Sequence, residues 1–93
     1  MAYLITCIDK DDSLDLRVKT REKHINFLSS FKDKIILAGP ILDNNQNPKG
    51  TVLVLNYQRS LEVENFLKKD PYSKVKLFKE IKIIKFKKVF WKK

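Results

Sequence analysis

The first nine residues set the pattern. In AYLITCID, Tyr3, Ile5 and Cys7 form one alternate set and Ala2, Leu4 and Ile8 the other, and both sets are apolar. Strict alternation with apolar residues on both sides predicts a strand that needs cover on both faces. KIILA (34–38) and TVLVL (51–55) read the same way, as short β-branched or leucine-rich runs. Gly39-Pro40 is expected to close the second strand, and Asn44, Asn45, Asn47, Pro48 and Gly50 mark a loop before the third. A fourth strand is predicted over about 80–90. Its alternation slips at Ile83-Ile84, which predicts a bulge or burial on both sides.

Two stretches carry helical spacing instead. Over about 13–31, Leu14, Val18, Ile25 and Leu28 recur at intervals of four, seven and three, placing them on one stripe, with Asp12 or Ser13 as N-cap and Thr20 as a candidate second cap. Over 61–69, Ser60 is the expected N-cap. Glu62 and Glu64 then lie in the first turn and Lys68 and Lys69 in the last, which suits the helix macrodipole. Pro71 biases Asp70 away from helical geometry and ends this helix, and one further short turn is expected within 72–78. The order β-α-β-β-α-β predicts a ferredoxin-like α+β fold, a four-stranded antiparallel sheet with helices on one face. Two helices cover only one face, so the apolar second face predicts a homodimer with stacked sheets; the alternative is a monomer with a shallow cleft.

Composition narrows the class. With 93 residues the chain is expected to be one domain (1–93), small enough that folding buries only roughly 60–65% of its surface. At 43% hydrophobic residues it is no disordered polycation. The 20 Lys+Arg against 11 Asp+Glu give a net charge of +9, unevenly placed: 74–93 holds nine lysines against Glu80, or +8, whereas 1–46 carries seven charges of each sign. The basic end, 85–93, is the sharpest part of that asymmetry. No run of about 20 apolar residues occurs, so no membrane segment and no membrane partner are expected. Nothing at the start reads as a signal peptide. One cysteine excludes an internal disulfide, and one histidine with one cysteine cannot build a structural zinc site, so a cytoplasmic protein without metal is the simplest reading.

The candidate chemistry is sparse. His24 lies three, four and seven residues before Phe27, Leu28 and Phe31, so it points with the core side of its helix, and Arg21 and Arg17 continue that side backwards. A stripe that changes from apolar to His and Arg reads as the rim of a pocket, or more plainly as a satisfied half-buried histidine beside snorkelling arginines. Asp70 before Pro71 reads as an N-cap, and a carboxylate there could also hold the imidazole tautomer. Cys7 reads as a small core residue. The aspartates at 9, 11, 12 and 15 lack EF-hand spacing and read as a turn and helix start. Two glycines supply no phosphate loop, so no nucleotide cofactor is expected.

Together these pieces match a family pattern. D-K-x-D-S-L-x-x-R (Asp9, Lys10, Asp12, Ser13, Leu14, Arg17), R-x-x-H (Arg21, His24), A-G-P (Ala38, Gly39, Pro40), D-P-Y (Asp70, Pro71, Tyr72) and K-x-V-F (Lys87, Val89, Phe90) resemble the YCII-related (YciI-like) family, over nearly the whole chain to about Phe90. The resemblance implies a dimeric ferredoxin-like fold related to the dimeric α/β barrels. It implies a His and Asp pair as active site, carried by His24 and Asp70, with Arg17, Arg21, Tyr72, Gly39 and Pro40 expected at the substrate. A few relatives are linked to dehydrochlorination of a chlorinated hydroxyhydroquinone, and the wider fold includes lactone isomerases and heme-binding members. The leading expectation is therefore a cofactor-independent acid–base enzyme on a small anionic or cyclic metabolite. Two alternatives stand beside it. One is a binding module for a small ligand, or for nucleic acid through the basic C-terminal segment, although no RNP-like signature accompanies those lysines. The other is a heme protein with His24 as axial ligand, in which Arg21 would have to pair with a propionate.

Overall fold

The computed structural model describes residues 2–92, and every structural statement here concerns those residues. The chain runs β1 (Ala2–Asp9), α1 (Leu14–Ser30), a 3-10 turn (Lys32–Lys34), β2 (Ile35–Leu42), β3 (Pro48–Leu55), α2 (Ser60–Lys69), α3 (Pro71–Lys74) and β4 (Phe78–Phe86). The strands form one antiparallel sheet in the order β2-β3-β1-β4, the ferredoxin-like arrangement. Of the three runs that read as apolar on both sides, two form the central strands β1 and β3 and the third lies in the edge strand β2.

The odd-numbered residues of β1 face the helices. Tyr3, Ile5 and Cys7 meet Leu53 and Leu55 of β3 and Val63, Phe66 and Leu67 of α2 in the core. The α2 residues fall at i, i+3 and i+4, one apolar stripe. Full burial of a side chain such as Ile5 or Leu53 contributes about 1.5–3 kcal/mol each. Phe27 and Phe31 of α1 close one end of this core against Phe66, with ring centroids 4.9 and 5.4 Å away.

The other sheet face carries no helix. Leu4, Thr6 and Ile8 of β1 are half-buried there, beside Leu37 and Ile84, which are 53% and 47% exposed. Register places Leu4 between Val54 and Ile84, so the apolar surface is continuous across the strands.

Several local expectations give way. Gly39-Pro40 does not close β2. The strand continues to Leu42, because Pro40 lies on an edge strand where its missing N–H costs no ladder bond, and the turn falls at 43–47. Asp43 builds that turn by accepting from the backbone N–H of Asn45 and Asn47, at 2.8 and 3.0 Å. Gly50 belongs to β3 rather than to the loop. The irregularity expected at Ile83-Ile84 lies instead near Lys79, where pairing shifts between Ile8 and Asp9; Ile83 and Ile84 pair regularly and face opposite sides. β4 ends at Phe86, four residues short of the expected end. Ser13 is the N-cap of α1 as expected, but Thr20 does not interrupt the helix: its hydroxyl donates to Leu16 O at 2.8 Å. Arg59, not Ser60, is the N-cap of α2, and its backbone N–H donates to Glu62. The stripe Leu14, Val18, Ile25 is largely exposed. The buried side of α1 holds Arg17, Thr20 and His24.

Candidate active site

A polar helix face against a sheet must satisfy its hydrogen bonds internally, and α1 does so with partners from three other elements. Arg17 grips Asp9, the last residue of β1, with Nε donating to Oδ2 at 2.6 Å and Nη2 to Oδ1 at 3.0 Å. Nη2 also donates to Thr51 Oγ1 of β3 at 2.6 Å. Both charged side chains are almost wholly buried, at 5% and 6% exposure. Two parallel bonds from a planar fork fix the geometry as well as the charge.

Two turns further on, His24 meets the start of α3. Asp70 is fully buried, and its Oδ1 accepts from Tyr72 N at 2.9 Å, so it is the N-cap, with Pro71 at the first helical position. The same oxygen lies 2.9 Å from His24 Nδ1. A carboxylate only accepts, so Nδ1 carries the proton in neutral His24 and Nε2 is the nitrogen left with a lone pair. The N-cap and the histidine-orienting readings of Asp70 therefore coexist in one atom.

Tyr72 knits the two pairs together. Its ring stacks on His24 with centroids 4.1 Å apart and planes inclined by 22°, while the Arg17 guanidinium carbon sits 4.5 Å from the same ring. Burial pushes the Tyr72 phenol above its ordinary pKa, and the carboxylates of Asp70 and Asp9 act in the same direction against the opposing pull of Arg17 and Arg21. The phenol thus stays protonated at neutral pH.

These residues border a cavity of about 140 Å³ between α1 and the β2–β3 edge. Arg17, Val18, Arg21 and His24 line it from the helix, with Leu28 beyond them. Ala38, Gly39 and Pro40 form the opposite wall, and Thr51 and Tyr72 contribute to its lining. Of the residues singled out in the sequence, Arg17, Arg21, His24, Tyr72, Gly39 and Pro40 all border this one space. Asp70 does not; it stands behind His24. Arg21 is exposed at the mouth. The cavity's polar lining is Arg17, Arg21, His24, Thr51 and Tyr72, two of them cations, which suits a small anionic molecule more than an extended one.

Asp9, expected in a turn and helix start but found as the last residue of β1, and Thr51, which carried no expectation, join the site as partners of Arg17. Asp9 shares the odd parity of Tyr3, Ile5 and Cys7, and Thr51 that of Leu53 and Leu55, so both fall on the core-facing side of their strands. A polar residue on a core parity is the signal that marks them. Cys7, on the same face, is fully buried, and burial with the nearby Asp70 carboxylate pushes its thiol up to about 12, so it is no nucleophile.

Among the described residues no helix is long and apolar enough to cross a membrane, and no group of three or more His, Cys, Asp or Glu is placed to hold a metal ion.

Known proteins resemble the chain in sequence and in fold. Protein YciI of Escherichia coli O6:H1 and that of Shigella flexneri are each 28% identical over 98 residues, spanning 97% of this chain and all of each relative. The solved 5-chloro-2-hydroxyhydroquinone dehydrochlorinase (TftG) from Burkholderia phenoliruptrix AC1100, in complex with 2,5-dihydroxybenzoquinone, matches at a TM-score of 0.87 and 28% identity, over 94% of both chains. An antibiotic biosynthesis monooxygenase shares the fold alone, with a TM-score of 0.56, 8% identity and coverage of 96% of this chain and 99% of that one. Residues 1–87 match the YCII-related domain, and the chain belongs to that family.

Proposed function

We propose that this chain is a small cofactor-independent enzyme in which His24 moves a proton on a small cyclic, oxygen-bearing metabolite. The observation that carries the reading is the 2.9 Å contact between His24 Nδ1 and the buried Asp70, which leaves Nε2 as the basic nitrogen of a residue that borders the cavity. Asp70 holds the tautomer and offsets the charge that appears on the imidazole when Nε2 takes a proton. Tyr72 keeps the ring flat by stacking. Arg21 supplies the cation for an anionic oxygen of the substrate, because the Arg17 fork is already engaged by Asp9 and Thr51. Arg17 then acts through Tyr72 and the sheet as a positioning residue.

Proton abstraction beside a ring carbonyl or phenolic oxygen serves both elimination and isomerisation, so a lyase or isomerase reaction is the class proposed. The dehydrochlorinase with its bound dihydroxybenzoquinone supports a hydroxylated six-membered ring as the kind of substrate to test first. The bare sheet face supports a homodimer, since an apolar surface continuous from Leu37 through Leu4 to Ile84 is better covered than wet. An unpaired buried cysteine fits a reducing cytoplasm, where we place the protein.

The test is a screen of hydroxyquinones, chlorinated hydroxyhydroquinones and small enolic lactones with purified protein, repeated with His24→Ala. A positioned base contributes about 10²–10⁴-fold, so the variant is expected to lose at least that much of any turnover found. Turnover that survives His24→Ala unchanged refutes the assignment. Light scattering checks the dimer separately, and a stable 11.0 kDa monomer at micromolar concentration overturns that part alone.

A further inference from the structure

Past residue 87, where the family model ends, lie Val89 and Phe90 of the K-x-V-F pattern, followed by Trp91. The last paired residue of β4 is Phe86, opposite Ala2, after which the backbone leaves the sheet. Val89 and Phe90 are then 82% and 96% exposed and Trp91 is 48% exposed, although the chain has only ten aromatic residues with which to stabilise a small core. Two consecutive, largely exposed apolar residues beside a half-exposed tryptophan need a reason. Their flanks give one: Lys85, Lys87 and Lys88 precede them and Lys92 and Lys93 follow.

We propose that segment 87–92 docks the protein onto an anionic lipid surface. Val89, Phe90 and Trp91 enter the boundary between headgroups and acyl chains, while the lysines on both sides reach back to the lipid phosphates along their apolar stems. Trp91 has the ring type enriched at that depth, and its contact with Lys88, whose Nζ lies 5.0 Å from the ring centroid, pairs the ring with a cation at the level of the phosphates. The expectation of no membrane partner rested on the absence of a spanning segment, and surface docking requires none. Charge separates the competing occupants. An anionic bilayer complements the lysines on both sides of the tail across its whole surface, whereas a second copy of this +9 chain offers no net negative charge. Nucleic acid would attract the lysines too. It offers Val89 nothing to stack on, and the three apolar residues are contiguous in the segment after β4 instead of spaced as base platforms on a sheet.

Trp91 is the sole tryptophan, so its emission reports on this segment directly in the full-length protein. Titration with phosphatidylcholine vesicles, and with vesicles in which roughly one lipid in three is phosphatidylglycerol, is expected to shift the emission to the blue only with the anionic vesicles, together with co-sedimentation. Affinity is expected to fall roughly five-fold for each lysine neutralised, so about 25-fold for Lys87→Gln with Lys88→Gln, and to weaken with salt. Phe90→Ser should abolish the blue shift while leaving thermal unfolding unchanged, since the segment lies outside the core. The proposal is overturned if neutral and anionic vesicles behave alike. It is overturned equally if the blue shift appears with protein concentration and no vesicles, which would seat the tail on a second copy, or if single- or double-stranded DNA perturbs Trp91 at lower concentration than the anionic vesicles do. None of these outcomes depends on the chemistry proposed for His24.

Discussion

Arg17 and Asp9 meet in two parallel hydrogen bonds, 2.6 and 3.0 Å long, at the junction of α1 with the end of β1. Each would be a costly buried charge without the other. Removing one partner, as in Arg17→Ala or Asp9→Asn, is expected to destabilise the fold by about 3–5 kcal/mol. Replacing both with apolar residues, Arg17→Met with Asp9→Leu, should recover most of that. Arg21→Ala should leave stability within about 0.5 kcal/mol, because that side chain is exposed, and should instead weaken binding of an anionic substrate. Urea unfolding of the four proteins beside a ligand titration separates the two arginines. If Arg17→Ala proves as stable as the parent, the structural role assigned to the pair is wrong.

The contact between His24 and Asp70 makes a tautomer prediction that needs no substrate. In the neutral side chain the proton is expected on Nδ1, and ring nitrogen chemical shifts in labelled protein read this directly. Asp70→Asn is the informative change, because asparagine also caps a helix and keeps the start of α3. Its amide can turn an N–H toward Nδ1, which moves the ring proton to Nε2 and removes the base. Any turnover should then fall by about 10²–10⁴-fold with little loss of stability. Asp70→Ala should lose the cap as well, at a cost of about 0.5–2 kcal/mol.

Much of this was legible along the chain, and the exceptions have physical causes. The order of elements followed from apolar periodicity along the chain, His24 and Asp70 stood out on a helix face and at an X-Pro boundary, and the family resemblance joined them as a pair. The buried side of α1 was misread because spacing rewards apolar residues, and Leu14, Val18 and Ile25 sit at helical intervals. What buries Arg17 is partners 8 and 34 residues away, Asp9 and Thr51, and no local period encodes them. Gly39-Pro40 looked like punctuation because proline is barred from strand interiors, yet an edge position removes that objection. The end of β4 was overestimated for a related reason: Val89, Phe90 and Trp91 look like strand material, but the strand ends before them at Phe86.

Two backbone positions should respond in opposite directions to a glycine change. A Cβ on Gly50 would lie 2.3 Å from the carbonyl oxygen of Cys7, a backbone atom in the neighbouring strand that cannot step aside. Gly50→Ala is therefore expected to push β3 from β1 and cost about 1–3 kcal/mol. At the end of α3, Lys76 adopts φ 58°, with Leu77 N bonded to Tyr72 O and Lys76 N to Ser73 O, each at 3.0 Å. That is a Schellman cap whose left-handed position holds a lysine where glycine is preferred. Lys76→Gly should raise stability by about 0.5–1 kcal/mol. Thermal melts of the two variants check both signs at once, and an unstable Lys76→Gly protein would show that the lysine side chain matters more than the backbone.

Cys7 links the core to pH. Its thiol is pushed from 9.0 up to about 12, first by burial and then by the Asp70 carboxylate, with Arg17 pulling the other way. The folded state thus holds this proton more tightly than the unfolded chain. Its contribution to stability is fully present below pH 9.0 and is lost as pH rises from there toward 12, because the unfolded thiol ionises first. Cys7→Ala should flatten that alkaline limb, at the expense of a small cavity in the core. The same burial predicts that a thiol reagent at pH 8 modifies native protein no faster than the chain opens. Labelling rates measured against added urea should track unfolding. Rapid labelling of the native protein at a rate set by reagent concentration would mean that the sheet opens locally at Cys7, and the raised thiol would then contribute little.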